Sequence, residues 1–175
     1  MGIAFSAGRQ EAVNSALLLR PDGSSLGQIG CLTVRLAQSQ AEIDAAMRLR
    51  HQVFFGGEGE LSGARDMDRF DAVCDHLIVI DTSISAAPFS QIVGTYRLLR
   101  QERAEAAGGF YSAGEFDIEP MLRAHPGRTF LELGRSCVLP PYRNKRTIEL
   151  LWHGIWAYVL HHGIDVLFGC ASIEG

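Results

Sequence analysis

The periods at which apolar residues recur along the chain predict where its strands and helices lie. Residues 32–36 alternate between apolar and polar positions, which is typical of a strand. Residues 40–55 place their apolar positions near helical spacing, so the fold is expected to open with a strand followed by a helix. Two apolar runs, 75–81 and 91–100, are separated by a turn that contains Pro88. These runs predict two strands that could pair as a hairpin.

The strongest helical pattern starts at Ile148 and continues with apolar residues at i+3, i+4, i+7, i+8 and i+11. This spacing predicts that Trp152 and Trp156 belong to the core, and Gly163 supplies the stop signal. Residues 164–171 form a last apolar run, as continuous as a strand that is buried on both faces.

A further apolar strand is predicted at 129–139, after a helical turn at 116–123. Antiparallel strands early in the chain and a strand-helix-strand crossover late indicate an α/β fold, in which helices flank a mixed sheet. Residues 1–30 show no sustained period and are expected to form a loose leader. The remaining residues, 31–175, are expected to make a single domain of ordinary size.

Composition narrows the possible partners. The 175-residue chain has a formal net charge of −4 and a pI near 5.8, so no general attraction to nucleic acid or anionic lipid is expected, and any basic site must be local. Its four cysteines lie far apart without a CxxC pair, which argues against zinc and fits a reducing cytoplasm. A nucleophilic role for Ser136 or Cys137 is disfavoured, because neither lies in a G-x-S-x-G turn.

One predicted strand carries two charges through an otherwise apolar sequence. A charged group in a buried strand costs several kcal/mol unless it is paired or functional, so Glu132 and Arg135 need an explanation. Because they are three residues apart, a regular strand would point them to opposite faces, unless Gly134 bulges the backbone and re-aims one of them. The pair therefore predicts a site on a bulged strand.

Basic residues cluster just after this strand, where the next helix is predicted to begin. Arg143, Lys145 and Arg146 lie at the positive end of that helix, where cations are unfavourable without an anion. An exposed basic loop is the alternative reading. The position favours an anion such as phosphate, because a helix N-terminus presents free N–H groups.

Acidic residues surround Phe70. Asp66, Asp68, Asp71 and Asp75 lack the glycine and the terminal glutamate of an EF-hand loop, so a metal site is not expected. A solvated acidic loop and a cation-binding wall for an amine substrate fit their spacing equally well.

Six strings of the sequence resemble the bacterial L-ornithine Nα-acyltransferases. They lie at 75–79, 93–99, 109–112, 115–117, 132–138 and 146–152. The resemblance runs from about Leu32 to Gly175 and implies the fold of the GNAT-type N-acyltransferases. It also implies that a 3-hydroxyacyl group passes from the phosphopantetheine of acyl carrier protein to the α-amine of ornithine, which gives lyso-ornithine lipid.

The same resemblance implies the partners and the location of the protein. Acyl carrier protein and a small amino acid are the expected partners, and neither nucleic acid nor a resident cofactor or metal is expected. The expected location is the cytoplasm, with peripheral contact with the cytoplasmic membrane as an open alternative.

A sparser pattern is similar to that of the acyl-homoserine lactone synthases. It is matched by Arg50, Val53, Phe54, Asp68, Phe70, Asp71, Gly94, Thr95, Arg97, Glu132 and Arg135. This likeness implies a shared site. The expected catalytic residues are Glu132, Asp71 and Arg135, and the expected substrate-binding residues are Arg50, Asp68, Arg97, Phe54 and Phe70.

The expected roles within this site follow from the chemistry of thioester aminolysis. Glu132 is the first choice for the base that takes a proton from the amine, and Asp71 is the alternative. Arg97 and Arg135 are expected to hold the substrate carboxylate or to brace the acids. Acyl-homoserine lactone synthesis and a non-catalytic module that binds acyl carrier protein or lipid remain alternative functions.

The chain departs from the common acetyltransferase pattern in two places. The loop that holds the pyrophosphate of coenzyme A, Arg/Gln-x-x-Gly-x-Gly/Ala, has bulky residues here in place of both glycines. Arg143, Lys145, Arg146 and Thr147 are therefore expected to bind the phosphate of phosphopantetheine and to suit an acidic carrier protein. Relatives continue for many residues beyond the position of Gly175, so the fold is expected to be incomplete at its C-terminus.

Overall fold

A computed structural model describes residues 25–56, 64–85 and 88–171 of the chain. Within these ranges one mixed sheet has the strand order β1-β2-β3-β4-β5-β6, and its neighbours are antiparallel except for the parallel pair β5 and β6. The strands are β1 (Gly27–Ile29), β2 (Leu32–Leu36), β3 (Asp75–Asp81), β4 (Ile92–Arg100), β5 (Phe130–Val138) and β6 (Val166–Phe168). The helices are α1 (Gln40–Phe55), α2 (Gln101–Ala106), α3 (Glu119–Ala124) and α4 (Lys145–His162).

Most of the predicted elements are confirmed. The strand and helix that open the pattern are β2 and α1, and the predicted hairpin is the antiparallel pair of β3 and β4. The helical turn around Pro120 is α3, and α2 is a short helix that the apolar pattern does not predict. The α/β fold with a mixed sheet and flanking helices is therefore the observed one.

The predicted leader extends too far along the chain. Gly27–Ile29 forms the edge strand β1, and the side chain of Leu26 is 6% exposed within the main core. Leu26 and the half-buried Ile29 join this segment to the core, but two apolar residues in a polar sequence give no sustained period. Residues 1–24 of the predicted leader lie outside the described residues.

The two long helices lie on opposite faces of the sheet. Leu77 belongs to the core under α4, and its neighbour Ile78 belongs to the core under α1, since successive side chains of a strand point to opposite faces. Helix α4 covers β1, β2 and β3, while α1 covers mainly β4 and β5. The β5 side of the sheet is therefore covered mainly by α1.

The buried face of α4 differs from the predicted one. Trp152 and Trp156 are each 49% exposed, and neither belongs to the core. The buried face carries Gly154 and Ala157, whose small side chains let the helix backbone approach the sheet closely. An indole ring at those positions would not fit, so the tryptophans lie on the outer side. The apolar period of the sequence identified the helix correctly but could not separate its two apolar stripes.

The close packing of α4 at Gly154 makes a testable prediction. A methyl group at Gly154 would lie 2.8 Å from Cγ2 of Val34, a stiff β-branched side chain. Gly154→Ala should therefore lower the free energy of unfolding, because overpacking costs about 1–3 kcal/mol and exceeds the gain in helix propensity of about 1 kcal/mol. Thermal and urea melts measure the change.

Gly114→Ala is the matched control, since an added methyl group there meets open space. The control should leave the melting temperature almost unchanged. A Gly154→Ala protein at least as stable as the original would show that the helix can move away from Val34 without cost.

The last strand is shorter and less buried than predicted. Strand β6 has three residues, all of them half-buried, and it pairs only with Phe130–Glu132 of β5. In the part of the chain that the structure describes, no strand pairs with the same edge of β5 at Gly134–Val138. That edge therefore offers unpaired backbone groups to a ligand.

Candidate active site

Strand β5 contains the bulge that the sequence predicted. Thr95 pairs with Cys137 and Arg97 pairs with Gly134, so one residue of β4 faces two residues of β5. Arg135 is one of these two residues and has a φ of 48°. The bulge is confirmed, but the left-handed residue is Arg135 and not Gly134. A non-glycine residue in this conformation is strained and occurs mostly where the surrounding structure holds it.

The bulge gathers charged side chains on the α1 face of the sheet. The Arg135 guanidinium reaches Asp66, with Nε 3.2 Å from Oδ2, and Asp68, with Nη2 3.7 Å from Oδ2. Asp66 and Asp68 belong to the loop before β3, which the other arginines of the site also contact. A regular strand would point Arg135 away from this cluster. The extra residue of β5 turns its side chain toward the cluster.

Arg50 of α1 is the most deeply buried member of this cluster. Its side chain is 1% exposed, and its Nη1 lies 2.8 Å from Oδ1 of Asp71. Its Nε lies 3.0 Å from Oδ2 of Asp66, and Nη2 donates a hydrogen bond to the backbone carbonyl of Asp66. Arg50 therefore fixes the acidic loop against α1 at two carboxylates and one carbonyl.

Arg97 of β4 forms the second anchor of the loop. Its Nη1 lies 2.8 Å from Oδ1 of Asp68 and 3.5 Å from Oδ1 of Asp71. The other oxygen of Asp71 accepts a hydrogen bond from the backbone N–H of Asp68 at 2.8 Å. Burial alone would raise the pKa of Asp71, but the hydrogen bonds and the charges of Arg50 and Arg97 hold that pKa below its ordinary value.

His76 closes the inner side of the cluster. Its Nε2 lies 3.0 Å from the backbone carbonyl of Asp71, and burial lowers the pKa of the imidazole. His76 is therefore neutral at pH 7 and adds no charge to the cluster. A freely solvated acidic loop is not observed, because Asp66, Asp68 and Asp71 are paired with arginines, and a wall for an amine substrate stays a prediction. Asp75 lies apart from the cluster and bonds to Tyr158 at 2.5 Å.

Two side chains of the cluster are accessible to a ligand. Arg135 is 30% exposed and Asp68 is 25% exposed, whereas Asp71 and Arg97 are at most 3% exposed. The predicted substrate-binding residue Phe70 is also buried and packs its ring 5.8 Å from the Arg97 guanidinium. Arg135 and Asp68 are therefore the groups that can contact an amino acid directly, and the deeper residues hold them in place.

Glu132 is buried beside the cluster and holds a neighbouring loop. Its carboxylate accepts hydrogen bonds from the backbone N–H groups of Tyr111 and Ser112, at 2.8 and 2.7 Å, and from the Ser112 hydroxyl. This places the Tyr111 ring 5.4 Å from the Arg97 guanidinium and 5.1 Å from that of Arg135. A cavity of about 10 Å³ adjoins Glu132, Arg97 and Tyr111, and this volume is about what one water molecule needs.

An open groove of about 470 Å³ runs along the free edge of β5. It is lined by Val53, Phe54, Tyr96, Ser136, Cys137, Val138, Arg143, Ile148, Leu151 and Trp152. Ser136 belongs to the bulge, so the groove meets the charged cluster there. Burial raises the pKa of the Cys137 thiol to about 12, which agrees with its exclusion as a nucleophile.

The basic loop lies at the other end of the groove. Arg143 lines the groove and donates a hydrogen bond from Nε to the carbonyl of Val138 at 3.0 Å. Lys145 and Arg146 are exposed, and Lys145 lies 3.6 Å from Glu149. Thr147 is buried, and its N–H donates to the side chain of the N-cap residue Asn144. The cations are thus placed for an anion, whereas Thr147 serves the start of the helix.

The charge balance of the site is slightly negative. Three arginines, Arg50, Arg97 and Arg135, face the four acids Asp66, Asp68, Asp71 and Glu132, so the formal charge has one negative unit in excess. Over the described ranges no group of three histidine, cysteine or acidic side chains is arranged to hold a metal ion.

The sequence missed several groups that the structure brings to the site. Asp66 was part of the acidic run but had no assigned role, and its spacing to Arg135 across the fold carries no local signal. Tyr111 and Ser112 lie in a string quoted for the resemblance, and only their contact with Glu132 reveals their function. Trp152 lines the groove because its stripe of α4 faces away from the core.

The central part of the chain matches a known protein family. Residues 49–153 match the model of a family described as acetyltransferase (GNAT) domain, a span that runs from the end of α1 through β3, β4 and β5 to the start of α4. The chain belongs to the GNAT acetyltransferase family. The predicted GNAT-type fold is therefore confirmed.

The predicted likeness to the L-ornithine Nα-acyltransferases is confirmed as well. The chain is 57% identical over 162 residues to the L-ornithine N(alpha)-acyltransferase of Rhizobium meliloti strain 1021, and 53% identical over 171 residues to that of Brucella abortus strain 2308. These matches cover 89% and 94% of this chain but 54% and 61% of the two relatives. The chain thus spans little more than half the length of the curated relatives it matches.

Two solved structures share the fold at low sequence identity. One is FeeM, an N-acyl amino acid synthase from uncultured soil microbes, with a TM-score of 0.55 at 16% identity over 78% of this chain and 68% of that one. The other is the acyl-homoserine lactone synthase LasI, with a TM-score of 0.52 at 17% identity over 79% of this chain and 71% of that one. At these identities the likeness is one of fold.

Proposed function

We propose that this chain carries the acyl-transfer site of an L-ornithine Nα-acyltransferase. The proposal rests on one observation: an apolar groove meets a cluster of arginines and aspartates at the β5 bulge. Such a junction can bring an acyl donor in the groove next to a charged amine acceptor in the cluster. The names of the two relatives support ornithine as the acceptor.

The groove fits an acyl thioester on a phosphopantetheine arm. The unpaired edge of β5 can exchange hydrogen bonds with the two amides of the arm, as an added strand would. Arg143 at one end can hold its phosphate, and the aromatic side chains of Phe54 and Trp152 can line the path of the acyl chain. Acyl carrier protein is our proposed donor, since exposed Lys145 and Arg146 complement an acidic surface.

The charged cluster fits a cationic amino acid. Ornithine carries two ammonium groups and one carboxylate at pH 7, so its net positive charge complements the single negative charge in excess at the site. Arg135 is accessible for the carboxylate and Asp68 for an ammonium group. The buried arginines Arg50 and Arg97 position these two groups by fixing the acidic loop.

The reaction is aminolysis of a thioester. The ammonium group first loses a proton, and the neutral nitrogen then forms a bond to the thioester carbonyl carbon, which becomes a tetrahedral oxyanion. Backbone N–H groups at Arg135 and Ser136 are candidates to donate to this oxyanion, because a bulge leaves the extra residue unpaired. The carbon–sulfur bond then breaks, the nitrogen gives up its second proton, and the thiolate takes up a proton, which leaves free phosphopantetheine thiol and the neutral amide.

Glu132 is our proposed acceptor for the first proton, acting through a water molecule in the adjoining cavity. The donors of Tyr111 and Ser112 occupy three of its lone-pair positions and leave one oxygen able to accept another bond. Asp71 is the weaker candidate, since its ion pairs favour its charged form and it lies behind Asp68.

The decisive experiment incubates the protein with 3-hydroxyacyl carrier protein and single amino acids, and weighs the products. The expected result is N-acylornithine, with slower reaction of lysine and little reaction of glycine or glutamate. Homoserine lactone formed from S-adenosylmethionine would support the synthase alternative. Donor binding without turnover of any acceptor would support a binding module and contradict the proposal.

The basic loop predicts a preference between donors. The kcat/KM for acyl carrier protein should exceed that for the same acyl group on coenzyme A, and it should fall steeply with salt, as charge-steered encounters do. Lys145→Gln combined with Arg146→Gln should lower the carrier-protein value and its salt dependence, with little effect on coenzyme A. Equal values for both donors that do not respond to salt would contradict this assignment.

A further inference from the structure

Four apolar side chains form an exposed stripe along α4. Ile148, Trp152, Trp156 and Leu160 are spaced four residues apart, and each is between 41% and 51% exposed. Their spacing along the helix makes the stripe about 18 Å long. We call these four residues the apolar stripe. Both tryptophans of the chain lie in it.

The core of the domain does not explain the apolar stripe. Helix α4 already buries a separate face that includes Leu150, Leu151, Ile155 and Tyr158. An exposed row of large apolar residues is an unfavourable way to face water and marks a surface that meets something else. Two indole rings in one row are typical of a surface at the boundary of a bilayer, because the ring is apolar and its N–H is polar.

Charge at the start of α4 indicates what the apolar stripe meets. Lys145 and Arg146 are exposed on the turn where the stripe begins, although the whole chain has a net charge of −4. A local pair of cations beside a row of apolar side chains complements the surface of an anionic bilayer. Among the described residues, no helix is long and apolar enough to cross a membrane, so contact through α4 would be at the surface.

The apolar stripe is continuous with the groove. Ile148 and Trp152 belong to both, and Phe54 on the opposite wall is 42% exposed. An acyl chain in the groove would therefore lie next to the stripe. Release of that chain into water is disfavoured by about fourfold for each methylene group. A groove that opens onto a bilayer lets the acylated product move directly into lipid.

We infer that the apolar stripe, with Lys145 and Arg146, docks this chain onto the surface of an anionic bilayer. Arg143, which lines the groove, remains available for the donor phosphate, whereas Lys145 and Arg146 can meet the anionic lipid and the acidic carrier protein only in turn. The delivery of the product into the bilayer rests on the proposed function, whereas the docking itself does not. The same surface would place the groove and its charged cluster at the membrane where a single-chain acyl product accumulates.

Tryptophan fluorescence tests this inference directly, because both tryptophans lie in the apolar stripe. The purified protein is mixed with vesicles of phosphatidylglycerol and phosphatidylcholine, and in parallel with phosphatidylcholine alone. The expected result is a blue shift of the emission and protection from iodide with the anionic vesicles, and a weaker response with the neutral ones. High salt should reduce the response.

Variants outside the groove separate docking from catalysis. Trp156→Gln with Leu160→Gln should weaken co-sedimentation with anionic vesicles at least tenfold, and leave acyl transfer to a soluble acceptor unchanged. Phe116→Gln is the matched control, since it removes an apolar side chain that is 60% exposed elsewhere in the fold. It should change vesicle binding less than twofold.

Three outcomes would overturn the inference. One is the absence of vesicle binding by a folded protein, and another is equal loss of binding in the Phe116→Gln control. The third is a dimer in analytical ultracentrifugation that becomes a monomer in the double variant Trp156→Gln with Leu160→Gln, while vesicle binding stays unchanged. That result would assign the apolar stripe to contact with a second copy of the chain. Vesicle binding without acylation of ornithine would instead contradict the proposed function and leave the docking in place.

Discussion

Replacement of Arg50 by methionine should destabilise the domain by about 3–5 kcal/mol. Arg50→Met keeps the length of the side chain but leaves Asp66 and Asp71 buried with one cationic partner fewer. A buried carboxylate without its partner carries the full cost of its desolvation. For a domain of this size the melting temperature should fall by roughly 6–20 °C, and acyl transfer should be lost even where the variant still folds.

Arg65→Met provides the matched control for this prediction. Arg65 pairs with Asp44 at 2.8 Å, but its side chain is 43% exposed, so solvent screens the pair and its loss should change stability little. Denaturant melts of both variants give the two free energies of unfolding. If Arg50→Met costs no more than Arg65→Met, then Arg97 and Arg135 suffice to hold the acidic loop, and the anchoring role of Arg50 is wrong.

Glu132→Gln should reduce kcat by about a hundredfold or more, the usual size of the contribution of a general base. The variant keeps the volume of the side chain, but its amide nitrogen must face one of the backbone donors of Tyr111 or Ser112. We therefore also expect a loss of stability of about 1–3 kcal/mol. The pH profile of kcat/KM separates the two effects, because only a base removes the acidic limb of that profile.

Ser112→Ala is the control that weakens the same loop without changing the charge. It removes one hydrogen bond to Glu132 and leaves the carboxylate in place. It should lower the melting temperature, with less than a tenfold change in kcat and the same pH profile. If Glu132→Gln and Ser112→Ala lose similar activity, Glu132 is a positioning residue that holds Tyr111 over the arginines, and the proton acceptor must be sought elsewhere.

The fold could be predicted largely from local patterns. The helix at 40–55 and the strand at 75–81 have the bounds that their patterns indicated, because the helix buries one face against the sheet and the strand is a continuous apolar run buried on both faces. The errors arose where burial depends on distant residues. Gly27–Ile29 becomes a strand through its partner β2, and the exposure of Trp152 and Trp156 follows from how closely the small residues of α4 approach the sheet.

The candidate site could be predicted only in part. The cost of burying Glu132 and Arg135 indicated a bulge, and the resemblance supplied Arg50, Asp68 and Arg97. Nothing local in the sequence distinguishes the buried members from the accessible ones, since exposure is set by how α1, β4 and β5 converge on the acidic loop. The groove is a property of the free edge of β5 and of both long helices, so no single segment encodes it.

The bulge also constrains how this sequence can change in length. Glu132 faces the charged cluster and Cys137 packs under α1 on the same face of the sheet, although they are five positions apart and a regular strand would place them on opposite faces. Deletion of either Arg135 or Ser136 would straighten β5 and leave Glu132 and Cys137 four positions apart, so both would keep their face, but the bulge that aims an arginine at Asp66 and Asp68 would be lost. Loss of one residue here is therefore compatible with the packing of the strand but not with the charged cluster, so the site depends on the number of residues in this segment as well as on their identity.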